Sequence, residues 1–422
     1  MTESRYRQLI KQAGLVDESP VKGFSVLLSY GYAIWEQAQQ VLDQKLKGLG
    51  YKNASFPSFI PISQLKKQEE HYKSLVREAA ICTHAGDTEM KEKLVIRPTS
   101  EAVIAPAVRR WIRSHRDLPL RLNQWCNIVR MEILKPNLPI IRDNEFLWHE
   151  AHSFFSTQKE CDEEAQKLYD MYIEFIQNYL AIPIFKGRKP ERRKFPGAVY
   201  TLALEAMMQD HKSVQIATSH SLGQNFSKAF DIKADDFVWY ACAGLTTRII
   251  GAIAMVHSDG NGLILPPMIA PYQVAVVDGN TRLKGFRTVQ GGTVNEWVLK
   301  GVPLIISDDK ILRRDTMQTI KIEKKTDDQI AGLLLSIQNN LFKRADRLKE
   351  QHTTTTDDYQ EMKKVLSAQE GFVIAPWCGN TGCSLNIRKE TKGSLRLVNP
   401  GKGKCIKCNR PVKHLALFGQ SY

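Results

Sequence analysis

Apolar positions along the chain follow two rhythms, and together they predict a mixed fold. From Tyr30 to Leu49, the residues Ile34, Ala38, Val41, Leu42 and Leu46 recur on one stripe. That spacing predicts a long amphipathic helix, ended by Gly50-Tyr51. A short strand follows through Ala54 and Phe56 to Pro57, and Gln64 to Ala80 reads as a polar, charged helix. Leu94 to Ile96 reads as a strand that runs into Arg97-Pro98-Thr99-Ser100-Glu101, where Thr or Ser caps a helix through Arg113. Arg121 to Glu132 and Glu145 to Phe155 read as strands of one sheet, joined by a loop with Pro136 and Pro139. A helix over Glu160 to Leu180 and a strand over Ile182 to Lys186 come next. Thr201 to Ala206, Val214 to Ser221 and Gly244 to His257 read as core sheet plus one helix. Leu263 to Pro267 closes this first unit. A smaller one of βα character begins at Tyr272, with a strand at Leu304 to Ser307 and a helix at Asp327 to Leu348. Residues before Tyr30 read as a polar start, and His352 to Asp358, with four consecutive threonines, as a linker.

Composition narrows the class. At 422 residues the chain can hold two or three cores, and 43% hydrophobic with 25% charged residues is a soluble globular balance. No apolar run approaches the ~20 residues that span a bilayer. Met1-Thr2-Glu3-Ser4-Arg5-Tyr6 has no apolar signal region, so a cytoplasmic location and no membrane association are expected. A net charge of +14 points to a polyanionic partner, nucleic acid being the commonest, with a merely basic solubility profile as the alternative. Cys82, Cys126, Cys161 and Cys242 are scattered, whereas Cys378, Cys383, Cys405 and Cys408 cluster near the end. Two close pairs of thiolates suit one tetrahedral zinc site better than a disulfide framework, reduced structural cysteines being the alternative.

Candidate chemistry concentrates in Arg130-Met131-Glu132 and Arg142-Asp143-Asn144-Glu145-Phe146. Two arginines can fork onto the α- and γ-phosphates of a nucleoside triphosphate. Glu132 can accept from an amino group such as that of adenine, and Phe146 offers a stacking face. Spacing alone leaves a mixed-charge surface hairpin as the competing reading.

Further blocks decide between them. Arg97-Pro98-Thr99-Ser100-Glu101, Leu122-Asn123-Gln124-Trp125-Cys126-Asn127, Glu145-Phe146-Leu147-Trp148, Thr218-Ser219-His220, Leu222-Gly223-Gln224-Asn225-Phe226-Ser227 and Gly244-Leu245-Thr246-Thr247-Arg248 stand in one order. In that order they closely resemble the prolyl-tRNA synthetases of the archaeal and eukaryotic type, a class II family. The resemblance is dense over about residues 20 to 277 and patchy beyond. It implies an α+β fold: an antiparallel-sheet catalytic domain over 1–270, a shortened α/β anticodon-binding-like domain over 271–350, and a zinc-bearing C-terminal domain over 351–422. It makes the long helix and the strand to Pro57 motif 1, the dimer-forming element, so a homodimer is expected.

The same resemblance implies roles. Arg130, Glu132, Arg142 and Phe146 match motif 2, and Gly244 to Arg248 matches motif 3. Arg130 would hold the α-phosphate and carbonyl, Arg248 would pack on adenine opposite Phe146 and reach the γ-phosphate, and Gln215 and Thr246 would lie near the adenylate and a metal or ribose. ATP and Mg2+ are implied, with Arg130, Glu132 and Arg248 as the catalytic set. Thr99 and Glu101 would bind the imino nitrogen of L-proline. Arg130, Trp148, Glu150, His152, Thr218 and His220 would complete the proline pocket. Phe418-Gly419-Gln420-Ser421-Tyr422 matches the family's tail, which is expected to pack back toward the catalytic domain, and the zinc on Cys378, Cys383, Cys405 and Cys408 is expected to be structural.

Three departures bear on function. Met131 and Asp143-Asn144 replace residues usual in motif 2, so a cation is lost and a negative charge is expected near the polyphosphate. Ala243 stands where a tryptophan is usual before Gly244. Between Val277 and Trp297 the anticodon-binding domain is cut short, Ile305 replaces a usual arginine, and Arg313-Arg314-Asp315 is retained. The implied activity is ATP-dependent ligation of proline to tRNA(Pro). The alternative is a paralogue that activates proline or an analogue for another acceptor without anticodon recognition.

Overall fold

The computed structural model describes residues 1–131, 137–278, 283–321 and 326–422. Its backbone is an eleven-stranded sheet. Six antiparallel strands form the centre in the order Phe185–Arg188, Tyr200–Met207, Ser213–Gly223, Trp239–Thr246, Glu145–Phe155 and Leu120–Val129, with Lys52–Asn53 added in parallel at one edge. Strands at the middle of this sheet are buried along most of their length, polar residues included, rather than in alternation. In Tyr200–Met207 every residue after Tyr200 is buried.

On one face pack the helices Gln158–Asn178, Arg248–His257 and Ser29–Gly48, which share a core of Ile34, Trp35, Leu42, Leu168, Tyr172, Ile249 and Ile253. Thr157 and Glu160 form a reciprocal capping box that fixes the start of Gln158–Asn178. A second core, with Phe56, Ile104, Val108, Phe154, Phe226 and Tyr240, gathers around Glu101–Trp111. The polar start expected before Tyr30 contains a helix, Glu3–Gln12, which buries Tyr6, Leu9 and Ile10. Over residues 64–80 one helix was expected, and the chain instead forms Ile62–Lys66, Glu69–Leu75 and a 3-10 turn, Val76–Glu78.

A five-stranded sheet follows, in the order Thr288–Gln290, Val274–Val276, Leu304–Ser307, Lys310–Arg313, Thr319–Lys321. Its core is Val274, Val276, Leu304 and Ile306 against Ile330, Leu334, Ile337 and Leu341 of Asp327–Gln351. Between Val276 and Val294 the described residues form one three-residue strand and no helix.

The expected linker is not a linker. Thr353–Thr355 is a strand paired in parallel with Phe372–Ile374. Its β-branched residues suit a pleated ladder, and that long-range pairing overrides their low-complexity appearance. The C-terminal strands Phe372–Pro376, Pro411–Gly419 and Ser394–Lys404 continue the central sheet, joining it where Val398 pairs with Arg188. No helix among the described residues is long and apolar enough to cross a membrane.

Candidate active site

The sheet brings the sequence-predicted residues to one cavity of ≈ 250 Å³. Every predicted nucleotide or proline residue lines it except Glu132 and Arg142. Glu132 lies outside the described residues, as does part of the Pro136/Pro139 loop. Arg142 lines an adjoining cavity of ≈ 210 Å³, together with Arg130, Gln215, Arg248, Arg396, Ser421 and Tyr422.

At one end the cavity is built from buried acids and imidazoles. Glu101, the first residue of its helix, is 2% exposed and accepts from Thr99 Oγ1 at 2.5 Å. Ser100 occupies the N-cap position without a side-chain cap bond, so this hydroxyl–carboxylate pair replaces the expected cap. His71 Nε2 lies 3.7 Å from Glu101 and Cys242 Sγ donates to it at 3.7 Å. His152 pairs with Glu150 at 3.0 Å and meets the Tyr240 hydroxyl through Nδ1. Burial alone would raise the Glu150 carboxyl, but the charge and hydrogen bond of His152, with bonds from Ser100 and Gln124, hold it below the usual range. Burial, then the charges of His152 and Arg130, push His220 down to about 3, so it is neutral at physiological pH; Thr201 Oγ1 lies 2.8 Å from its Nδ1. Ala243 is buried in the same wall.

At the other end the cavity is cationic and aromatic. Arg130 is anchored by Nε donating to Pro98 O at 2.9 Å, and its guanidinium carbon lies 5.6 Å from the Phe146 ring and 5.7 Å from the Trp148 ring. Those contacts fix the orientation of the guanidinium. Arg248 donates from Nε to Ile141 O at 2.9 Å and from a terminal nitrogen to Gln215 O at 3.2 Å. Beneath this end, Arg396 of a C-terminal strand forks onto Glu205 at 2.8–3.2 Å, and Lys189 also pairs with it. The chain end closes over the network: Ser213 N donates to Gln420 O at 2.8 Å and Arg396 to Ser421 Oγ at 3.0 Å. The tail therefore does pack back on the catalytic sheet.

Asp143 stands beside the cationic cavity, where a negative charge was expected. Both of its carboxylate oxygens accept hydrogen bonds. They accept from Ser25 Oγ at 2.8 Å, Asn137 Nδ2 at 2.9 Å and Ile140 N at 2.7 Å. Burial raises its pKa, and these three donors hold the carboxylate in place at the edge of the cavity. Asn144 donates its N–H to Gly23 O at 2.9 Å. A Cβ on Gly23, at φ +88°, would stand 2.5 Å from the Asn144 amide, so only glycine permits that approach.

The reading of single motifs did not single out His71, Cys242, Lys189 or Phe195, which also border the buried end or its wall. His71 sits in a polar, charged segment whose burial depends on contacts with Phe195 and Phe226, far away in sequence. Cys242, two residues before Gly244, carried only the signal of its position beside a recognised block.

The four clustered cysteines also converge. Their Sγ atoms all lie within 4.8 Å of one another, with Cys378–Cys383 and Cys378–Cys408 at 3.7 Å. Tetrahedral zinc with Zn–S bonds of ~2.3 Å needs sulfur–sulfur edges of about 3.8 Å, and an all-thiolate set is a structural one, so the donors fit that ion.

The antiparallel sheet with its carboxylate-lined and arginine-lined cavities is that of a class II aminoacyl-tRNA synthetase core, as comparison with known proteins shows. The family model for the tRNA synthetase class II core domain (G, H, P, S and T) matches residues 83–257, and that for prolyl-tRNA synthetase, C-terminal, matches residues 359–422. The proline--tRNA ligase of Alkaliphilus oremlandii is 38% identical over 461 aligned positions, covering 99% of this chain and 95% of that one. That of Borreliella burgdorferi is 38% identical over 476, covering 99% and 97%. The crystal structure of prolyl-tRNA synthetase from Cryptosporidium parvum complexed with L-proline and AMP superposes with a TM-score of 0.90 at 33% identity, covering 99% of this chain and 97% of that one. The same enzyme complexed with halofuginone and AMPPNP gives the same score and identity. This chain belongs to the prolyl-tRNA synthetase family.

Proposed function

We propose that the chain is a proline--tRNA ligase that activates L-proline with ATP and transfers it to tRNA(Pro). One observation carries this reading: a single cavity has the buried Glu101 carboxylate at one end and Arg130 and Arg248 at the other. Glu101, with Thr99, receives the secondary ammonium of proline, and a carboxylate there is worth most because it is already desolvated. Trp148, Glu150, His152, Thr218 and His220 wall the small ring. Phe146 stacks on adenine while Arg130, Arg142 and Arg248 hold the phosphates, and Glu132 belongs to the same motif.

In the first step a proline carboxylate oxygen attacks the α-phosphorus and pyrophosphate leaves. Arg130 faces the charge that grows on the α-phosphate, so positioning and electrostatics carry the step without a protein nucleophile. In the second, a tRNA terminal hydroxyl attacks the activated carbonyl and AMP leaves. Magnesium, when bound, would neutralise phosphate charge, and Gln215 and Thr246 would offer it neutral oxygens at the cationic end. A structural zinc on Cys378, Cys383, Cys405 and Cys408 ties the C-terminal strands to their helix.

The work divides among residues 1–270, 271–350 and 351–422. Assembly as a homodimer through Ser29–Gly48, and a cytoplasmic location, complete the reading. Charging of a tRNA(Pro) transcript with labelled proline tests it: proline-specific, ATP-dependent charging is expected, and its absence with active RNA overturns the reading. The shortened segment before Val294 favours one alternative, transfer to another acceptor without anticodon recognition. Transcripts with altered anticodons separate the two.

A further inference from the structure

A third cleft, of ≈ 250 Å³, lies outside the amino-acid and phosphate cavities. It opens between the 3-10 turn Glu191–Arg193 and the helix Thr381–Thr391. Three arginines, Arg192, Arg193 and Arg388, line it with the hydroxyl side chains of Thr381 and Ser384. Glu191 is the single acid among its lining residues, and it pairs with Lys194. Among the described residues, Arg192 and Arg388 make no ion pair, and Arg193 donates only to neutral oxygens, Ser394 Oγ at 3.4 Å and Leu395 O at 3.3 Å. Trp377, in the same wall and 6% exposed, has an indole N–H with no acceptor among the described residues.

Arg193 lines both this cleft and the amino-acid cavity. A polyanion lying in the cleft therefore meets a residue that also lines the amino-acid cavity. We propose that the cleft docks the sugar–phosphate backbone of the tRNA substrate near its acceptor end, with Arg192 and Arg388 taking phosphodiester oxygens. The inference rests on the tRNA-charging reading above. Arginine forks match phosphate oxygens, and clustering guanidinium groups without acids is costly until a polyanion neutralises them. Free pyrophosphate shares that chemistry, but a separate cationic cavity with Arg130, Arg142 and Arg248 already serves the nucleotide phosphates.

The test is steady-state charging by the full-length Arg192→Glu/Arg388→Glu variant, run beside proline-dependent ATP–pyrophosphate exchange. Both side chains are exposed, so the fold should tolerate the changes. The KM for tRNA is expected to rise about tenfold or more, and the dependence of log KM on log salt to flatten by roughly 0.7–0.9 for each phosphate no longer neutralised. Exchange, including the KM for pyrophosphate, should match the wild type, and Arg192→Lys/Arg388→Lys should restore most of the affinity. Unchanged tRNA KM and salt slope overturn the inference, as does a raised pyrophosphate KM in their place. If the double variant loses exchange as well, Arg192→Ala and Arg388→Ala singly carry the same comparison. A wild-type enzyme that exchanges but charges no tRNA overturns the ligase reading itself, a failure distinct from that of the cleft.

Discussion

In the cavity above the central sheet, Arg130 is anchored by a backbone carbonyl and two aromatic rings, in the lining where a substrate must sit. In the five-stranded unit, Arg314 is fully buried and forks onto Asp259 at 2.7 and 2.9 Å while donating to Val298 O at 2.8 Å. Its neighbour Arg313 forks onto Asp315 at 3.0–3.2 Å. Both regions keep arginines that their sequence blocks single out. In one they line a cavity; in the other they hold the second unit together and against the first. Retention of a charged residue is therefore not by itself retention of a recognition function.

Arg314→Ala should separate the regions most strongly. Arg314 is buried but its partner Asp259 is partly exposed, so the loss should lie below the about 3–5 kcal/mol of a fully buried pair, lowering the melting temperature while exchange per folded molecule survives. Arg130→Ala should do the reverse, with the exchange kcat down about 10²–10³-fold and thermal stability nearly unchanged. Equal effects of the two on stability would break the comparison.

Acid should act on the junction of the catalytic and C-terminal strands. Although burial disfavours its charge, Arg396 and Lys189 bring Glu205 down to about 2 in the folded chain. A folded pKa below the unfolded value of 4.5 contributes stability that is complete above that value and lost as pH falls toward about 2, of order 3 kcal/mol in all. Glu205→Gln should flatten that limb of the pH–stability curve; an unchanged limb would remove the network from the account. Glu101→Gln, which keeps shape but not charge, should raise the KM for proline by about 10–100-fold and spare ATP binding. The smallest effect belongs to Arg313→Ala, expected to alter the tRNA KM less than about twofold because its fork is spent on Asp315. A large loss of tRNA affinity would return Arg313 to the recognition surface.

The catalytic fold was legible because its signals are local. The helix Ser29–Gly48 follows its own periodicity, and recognised blocks placed the strands Leu120–Val129 and Glu145–Phe155 and the cavity lining. What escaped depends on distant partners. Glu3–Gln12 has three buried apolar residues in a polar stretch, and only packing on Arg248–His257 and the 137–143 loop reveals it as an element. Thr353–Thr355 is a strand because Phe372–Ile374 lies beside it. Asp143 looked like a misplaced charge because its partner Ser25 is 118 positions away. Such pairings leave no mark in a local window.

The most direct test of the account is proline-dependent ATP–pyrophosphate exchange by the purified full-length chain, assayed against the other amino acids. The account predicts exchange with proline, strongly preferred over the rest and lost in Arg130→Ala. Absence of exchange at saturating proline and ATP, or equal exchange in Arg130→Ala, would contradict it.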